Sequence, residues 1–205
     1  MRIWMRNRMQ IWFGLLSIAL LAPVLAVGQQ KPSGDQVFTG GSADETQLAK
    51  EVRHNLLMLP YYSIFDDLGF SINGSVVTLT GACPPEAPWD IKSDAEAAVK
   101  KVKGVTQVVD NIKLLPLSPM DWQIRRAEER AIYGDADLGT RYGYQALPAI
   151  HIIVDNGHVT LMGVVDSQMD KTLINTRANT VPGVFSVDND LVVANQGKEN
   201  VSSTK

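Results

Sequence analysis

Val77-Thr78-Leu79-Thr80-Gly81 returns as Val159-Thr160-Leu161-Met162-Gly163, and this recurrence decides how the chain is read. A second stretch recurs downstream of each copy. Gly104-Val105-Thr106-Gln107-Val108-Val109-Asp110-Asn111-Ile112 is matched by Gly183-Val184-Phe185-Ser186-Val187-Asp188-Asn189-Asp190-Leu191. The offsets are 82 and 79 residues, so two copies of one unit keep the same order of parts. Apolar residues alternating with polar ones have the period of a half-buried strand, and the glycine after each marks a place where the backbone must turn.

Working outward, the segments 70–72 and 76–80 flank Asn73-Gly74, which predicts a tight hairpin because both turn residues tolerate positive φ. Before it, Leu48, Val52, Leu56 and Leu59 recur at helical spacing, with Asp44 as the expected N-cap and Pro60 at the end. After it, 91–103 reads as a second helix with Ala95, Ala98, Val99 and Val102 inward and its lysines outward, closed by Gly104. A third strand follows at 105–115. The second copy repeats this order: a helix capped by Ser118-Pro119 and running to Tyr133, a hairpin of 150–154 and 158–162 around Asn156-Gly157, a helix at 171–180 and a strand at 185–193. The expected fold class is α+β, with two tandem α-β-β-α-β modules, each placing two helices on one face of a three-stranded sheet. The link through Pro116 and Pro119 is short and stiff, so the modules are expected to touch.

Residues 1–28 read as a secretory signal peptide. Arg2, Arg6 and Arg8 precede an uncharged, mostly apolar run, and Ala26 and Gly28 supply small residues at a cleavage site. The apolar run lies at the short end of what spans a bilayer, so retention as an anchor is the competing reading. Residues 29–43 read as a flexible linker, 44–116 and 117–194 as the two modules, and 195–205 as a disordered tail. Without the three leader arginines, 16 basic residues face 22 acidic ones, a net charge of −6. That balance argues against nucleic acid as the partner. The single cysteine, Cys83, excludes an intramolecular disulfide and reads as a small residue in a loop before Pro84.

A helix, an Asn-Gly hairpin, V-T-L-x-G, a second helix and then G-V-x-x-V resembles the BON domain, named for bacterial osmotically inducible and nodulation proteins. The resemblance runs over about residues 45–115 and 121–194, on Val77, Leu79, Gly81, Gly104, Val105 and Val108, then Val159, Leu161, Gly163, Gly183, Val184 and Val187. It implies a non-enzymatic envelope or periplasmic protein that binds phospholipid membranes or other envelope components, linked to osmotic or envelope stress. The alternative is a protein-interaction module docking onto an outer-membrane or secretion component. The matched residues read as structural. Two insertions depart from the pattern, at 83–88 and 134–148, and loops are where partners usually bind.

Trp122, Arg125, Arg126, Arg130 and Tyr133 share the first helix of the second copy, where cations between aromatics suit anionic headgroups; a solvated helix face with Trp122 in the core is the plainer reading. Tyr61, Tyr62, Ile64, Phe65 and Trp89 read either as an aromatic binding surface or as the completion of a small core. Asp135-Ala136-Asp137-Leu138-Gly139 resembles the opening of a calcium loop, but Ala146 stands where the twelfth-position Glu belongs. His151 and His158 read as surface residues facing each other across the second hairpin, with His54 apart on a helix. No G-x-S-x-G elbow, Walker loop or G-x-G-x-x-G stretch occurs, so neither enzymatic activity, cofactor, metal nor small-molecule substrate is expected.

Overall fold

The structure is a computed structural model and describes residues 35–37, 46–85, 90–145 and 149–194, all within one compact unit. The expected leader at 1–28 and tail at 195–205, together with Asp44 and Trp89, lie outside the described residues.

The first module runs β1 (Asp35–Gln36), α1 (Gln47–Leu57), β2 (Asp67–Asn73), β3 (Val76–Cys83), α2 (Ile91–Lys100), β4 (Gln107–Asp110) and β5 (Lys113–Leu114). Thr46 is the N-cap of α1, its side chain accepting from Ala49 N. The sheet order is β1-β2-β3-β4, with β5 also on β3. β2 and β3 are antiparallel, whereas β4 and β5 run parallel to β3, as the intervening α2 crossover allows. Part of the expected flexible stretch 29–43 therefore belongs to the sheet. β1 covers the outer edge of β2, Val37 is fully buried, and Arg53 Nη1 on α1 donates to Val37 O at 2.9 Å. The first hairpin turns one residue later than expected, because Asn73 pairs with Val76 and leaves Gly74-Ser75 at the tip. Only Gly74 takes positive φ, +62°, as a turn with glycine at its first central position requires.

The second module runs α3 (Pro119–Tyr133), α4 (Ala136–Leu138), a π-helical turn (Gly139–Gly143), β6 (Ile150–Asp155), β7 (His158–Val165), α5 (Gln168–Ala178), β8 (Ser186–Asn189) and β9 (Val192–Val193). Asn156 and Gly157 both take positive φ, so this hairpin has the expected turn. The insertion at 134–145 is absorbed into the module. Leu138 and Tyr142 enter its core, and Asp135 caps α4 and pairs with Arg177 at 2.7 Å.

In both copies the last strand is one extended segment with a kink. Leu79 pairs with Asp110 and Ala82 with Lys113, so the register is unchanged across the break; Leu161–Asn189 and Val164–Val192 behave alike. A lysine of the second helix staples each kink, Lys92 Nζ donating to Ile112 O at 2.5 Å and Lys171 Nζ to Leu191 O at 2.6 Å. These two lysines therefore reach back to the sheet instead of pointing outward. Charge-assisted bonds of this kind contribute about 1.5–3 kcal/mol. Lys171→Met is expected to lower stability by about 2 kcal/mol in urea unfolding, whereas a shift within ±0.5 kcal/mol, usual for surface substitutions, would remove the staple's role.

The modules are packed against each other. β6 is an edge strand of its own sheet, and the 64–66 segment of the first module lies along it: Ile152 N donates to Ile64 O at 2.7 Å. His151 is buried, its Nδ1 lying 2.7 Å from Asp66 O. A carbonyl can only accept, so this contact places the proton on Nδ1. His151 pairs with Met162 and His158 with Asp155, so the histidines do not face each other; His158 instead bonds the Ser186 hydroxyl at 2.8 Å. Phe65 belongs to the core of the second module, with Ile152, Leu161 and Val165. Leu115 of the connecting segment closes the other face against Ile153 and Met162. The second sheet is thus covered on both sides, which is why all of β6 but Asp155 is buried.

Candidate functional site

α3 separates the five residues grouped on it by the sequence. Its inward positions are Asp121, Ile124, Arg125, Glu128 and Ile132. Arg125 is therefore not a surface cation: it is 2% exposed, and Nη2 donates to Val154 O at 2.7 Å. Position on a 3.6-residue period, not charge, decides its burial. Tyr133 is half-buried, and its hydroxyl donates to Ile150 O at 2.5 Å. Burial raises its phenol well above the ordinary value despite that bond. Trp122, Arg126 and Arg130, spaced four apart, remain exposed on one face. Arg126 meets Glu129 at 2.5 Å in an exposed ion pair, a contact worth little in water. Leu117 and Met120, just before this face, are also exposed.

Trp122 has a second neighbour across the module junction. Its ring meets Phe65 edge-on with centroids 6.0 Å apart. Between them and Tyr61, Tyr62 and Asp66 lies a cavity of about 300 Å³, completed by Ser63, Pro84 and Ile91. The aromatic group at 61–65 thus does more than finish its own module's core: it forms the junction. Asp66 is 2% exposed, and its Oδ2 accepts from Ser63 N at 2.8 Å and Ser63 Oγ at 2.7 Å.

The motif residues occupy the sheet and its turns. Val77, Leu79, Val159 and Leu161 are fully buried, and Val105, Val108, Val184 and Val187 pack half-buried against the two cores. Gly81, Gly104, Gly163 and Gly183 all take positive φ. Cys83 ends β3 instead of lying in a loop; it is 1% exposed, and burial first, then the charge of Asp66, push its thiol up to about 12. Both features make it unreactive.

Two buried carboxylates hold structural partners that no local motif of the sequence marks as a pair, and a third is buried with none among the described residues. Asp121 accepts from Asn156 N and Gly157 N, each at 2.9 Å, and so ties α3 to the turn of the second hairpin. Ser118-x-x-Asp121 is the available sequence signal, since the Ser118 hydroxyl caps Asp121 N. Asp121→Ala is expected to cost about 2–4 kcal/mol in urea unfolding and Asp121→Asn less; equal small effects would dissociate the turn from the carboxylate. Asp170 accepts from Arg141, Tyr142 and Ser167. Burial raises its carboxyl, and these three bonds more than offset that, holding it below the usual range. Glu128 is fully buried with neither carboxyl oxygen hydrogen-bonded among the described residues, and burial raises it to about 8. Among the described residues no group of three or more metal-binding side chains is assembled.

The family model described as BON domain matches residues 44–116 and 140–195. Osmotically-inducible protein Y of Escherichia coli (strain K12) is 32% identical over 135 residues, spanning 61% of this chain and 61% of that protein. Two structures of CdsD, a structural protein of the Type III secretion system of Chlamydia trachomatis, overlap at 14% identity. The C-terminal domain gives a TM-score of 0.27 over 73% of this chain and 98% of that one. The other gives 0.26 over 78% and 99%. Scores of that size carry no functional weight.

Proposed function

The chain belongs to the BON domain family, and from that premise we propose that it is a non-enzymatic, exported envelope protein whose paired modules bind anionic phospholipid surfaces. The resemblance to an osmotically inducible relative supports a role in osmotic or envelope protection. The basic, then apolar, then small-residue pattern of 1–28 supports export.

One observation carries the membrane part of the reading. α3 exposes Trp122, Arg126 and Arg130 along one face, with Leu117 and Met120 exposed at its start. Apolar and aromatic side chains insert among headgroups while guanidinium groups pair with phosphates, each cation near an anionic surface adding about 1 kcal/mol. The chain is acidic overall, so the attraction is local to this face.

Flotation of the purified chain with phosphatidylglycerol vesicles tests the proposal. Arg126→Glu plus Arg130→Glu is expected to weaken binding at least tenfold, roughly the effect of removing two such contacts, and added salt should weaken the unaltered chain. Equal flotation of both proteins would sink it.

A further inference from the structure

We propose that the junction cavity is a binding site for an organic ammonium cation, held against the rings of Tyr61, Tyr62, Phe65 and Trp122 and the carboxylate of Asp66. The faces of aromatic rings are electron-rich, and weakly hydrated cations such as methylated ammonium groups gain most from them because little hydration is lost on entry. Four rings and one carboxylate line about 300 Å³, which gives such a cation room to enter beside them.

The electrostatics of the cavity favour a cation over a neutral guest. Among the described residues lining it none is cationic, and the lining carboxylate, Asp66, is buried, with Asp67 buried next to it. Burial first, then the charges of Asp67 and Asp66, hold the Tyr62 phenol well above its ordinary value. The Tyr62 hydroxyl is buried and makes no hydrogen bond among the described residues, so it is the ring of Tyr62 that lines the cavity. Ser63 fixes the Asp66 carboxylate in place through two bonds to one oxygen.

The backbone adds a second sign. Tyr61 stands at φ +68°, a conformation that costs energy for any side chain with a Cβ, and it is 62% exposed at the cavity. Deeply buried Phe65 and Asp66 form the inner end, while exposed Tyr61 and Trp122 form the mouth. Because Trp122 comes from the second module and the other rings from the first, the site exists only when the modules are docked.

The cation has two possible sources, a free solute or a choline-type lipid headgroup, and the test separates them. Choline and 3,3-dimethylbutan-1-ol, which has the same shape without the charge, are titrated calorimetrically into the full chain at constant ionic strength. Choline is expected to saturate with Kd on the order of 1 mM and the alcohol to give no saturable heat at the same concentrations. Trp122→Ala, at an exposed position, should weaken choline binding about tenfold, and Phe185→Ala, another exposed aromatic outside the cavity, should leave it unchanged. Asp66→Asn should also weaken it, with thermal melting as the check on folding; if that variant does not fold, Trp122→Ala and the neutral isostere decide. A second arm floats the same proteins with phosphatidylcholine vesicles. Binding there that Trp122→Ala abolishes, without free choline binding, assigns the cation to a lipid headgroup. Equal binding of choline and the alcohol, no effect of Trp122→Ala, or no binding in either arm overturns the proposal. Because Trp122 also belongs to the exposed face of α3, the headgroup assignment further requires that Asp66→Asn abolishes flotation with phosphatidylcholine while Arg126→Glu plus Arg130→Glu leaves it unchanged.

Discussion

Gly163→Ala is expected to unfold the second module, with a loss of about 4 kcal/mol or more. Gly163 lies opposite Ile150 in the β6–β7 ladder at φ +127°, outside the range that side-chain-bearing residues adopt. A Cβ there would sit 1.9 Å from Ala149 O, a backbone atom that cannot move without breaking the strand. Gly81 repeats the situation in the first module at φ +111°, with Asp67 O at 2.1 Å, so Gly81→Ala should fail in the same way. Each glycine lets its strand bend between the segment that pairs with β4 or β8 and the segment that pairs with β5 or β9. Gly74 is the control. It also takes positive φ, but a Cβ there meets nothing within 4 Å, so Gly74→Ala should cost only about 1–2 kcal/mol. Urea unfolding followed by circular dichroism measures all three. A Gly163→Ala variant as stable as Gly74→Ala would refute the close-approach account.

These two glycines end the motif from which the fold was legible. The V-T-L-x-G repeat, the helix at Pro119–Tyr133 with its Ser118 cap and the Asn156-Gly157 turn are local patterns, written in neighbouring residues. The first hairpin turns one residue beyond Asn73-Gly74 because Asn73-Gly74 and Gly74-Ser75 are both acceptable turns, and pairing along the whole ladder decides between them. The candidate site was less legible. Charge groups Arg125 with Arg126, whereas helical period groups it with Ile124, Glu128 and Ile132. A hydrophobic pattern search passes over a face containing Asp121, Arg125 and Glu128, although all three are buried. The junction had no local signal at all. It brings Phe65 to Trp122 and Asp66 to His151, 85 positions apart in the second case, and only the packing of two folded modules creates those contacts.

Glu128 gives that buried face its largest expected pH effect. Fully buried and without a hydrogen-bond partner among the described residues, its carboxyl is neutral in the folded chain up to about pH 8, against an ordinary value of 4.5. The unfolded chain releases this proton at lower pH than the folded one. Between those two values the folded state therefore binds more protons, and stability falls as pH rises. The contribution is fully present below pH 4.5 and is lost by about pH 8, a few kcal/mol in all at about 1.4 kcal/mol for each pKa unit. Glu128→Gln removes the titration while keeping the shape. Its stability between pH 5 and pH 8 should change by about 3 kcal/mol less than that of the unaltered chain, a difference in which every other titrating group cancels. The comparison tolerates any uniform cost of burying the amide, because only the slope with pH is read. Urea unfolding at pH 5, 6, 7 and 8 supplies the two slopes. Parallel profiles would mean that Glu128 is ionised in the folded protein and that some group compensates its charge.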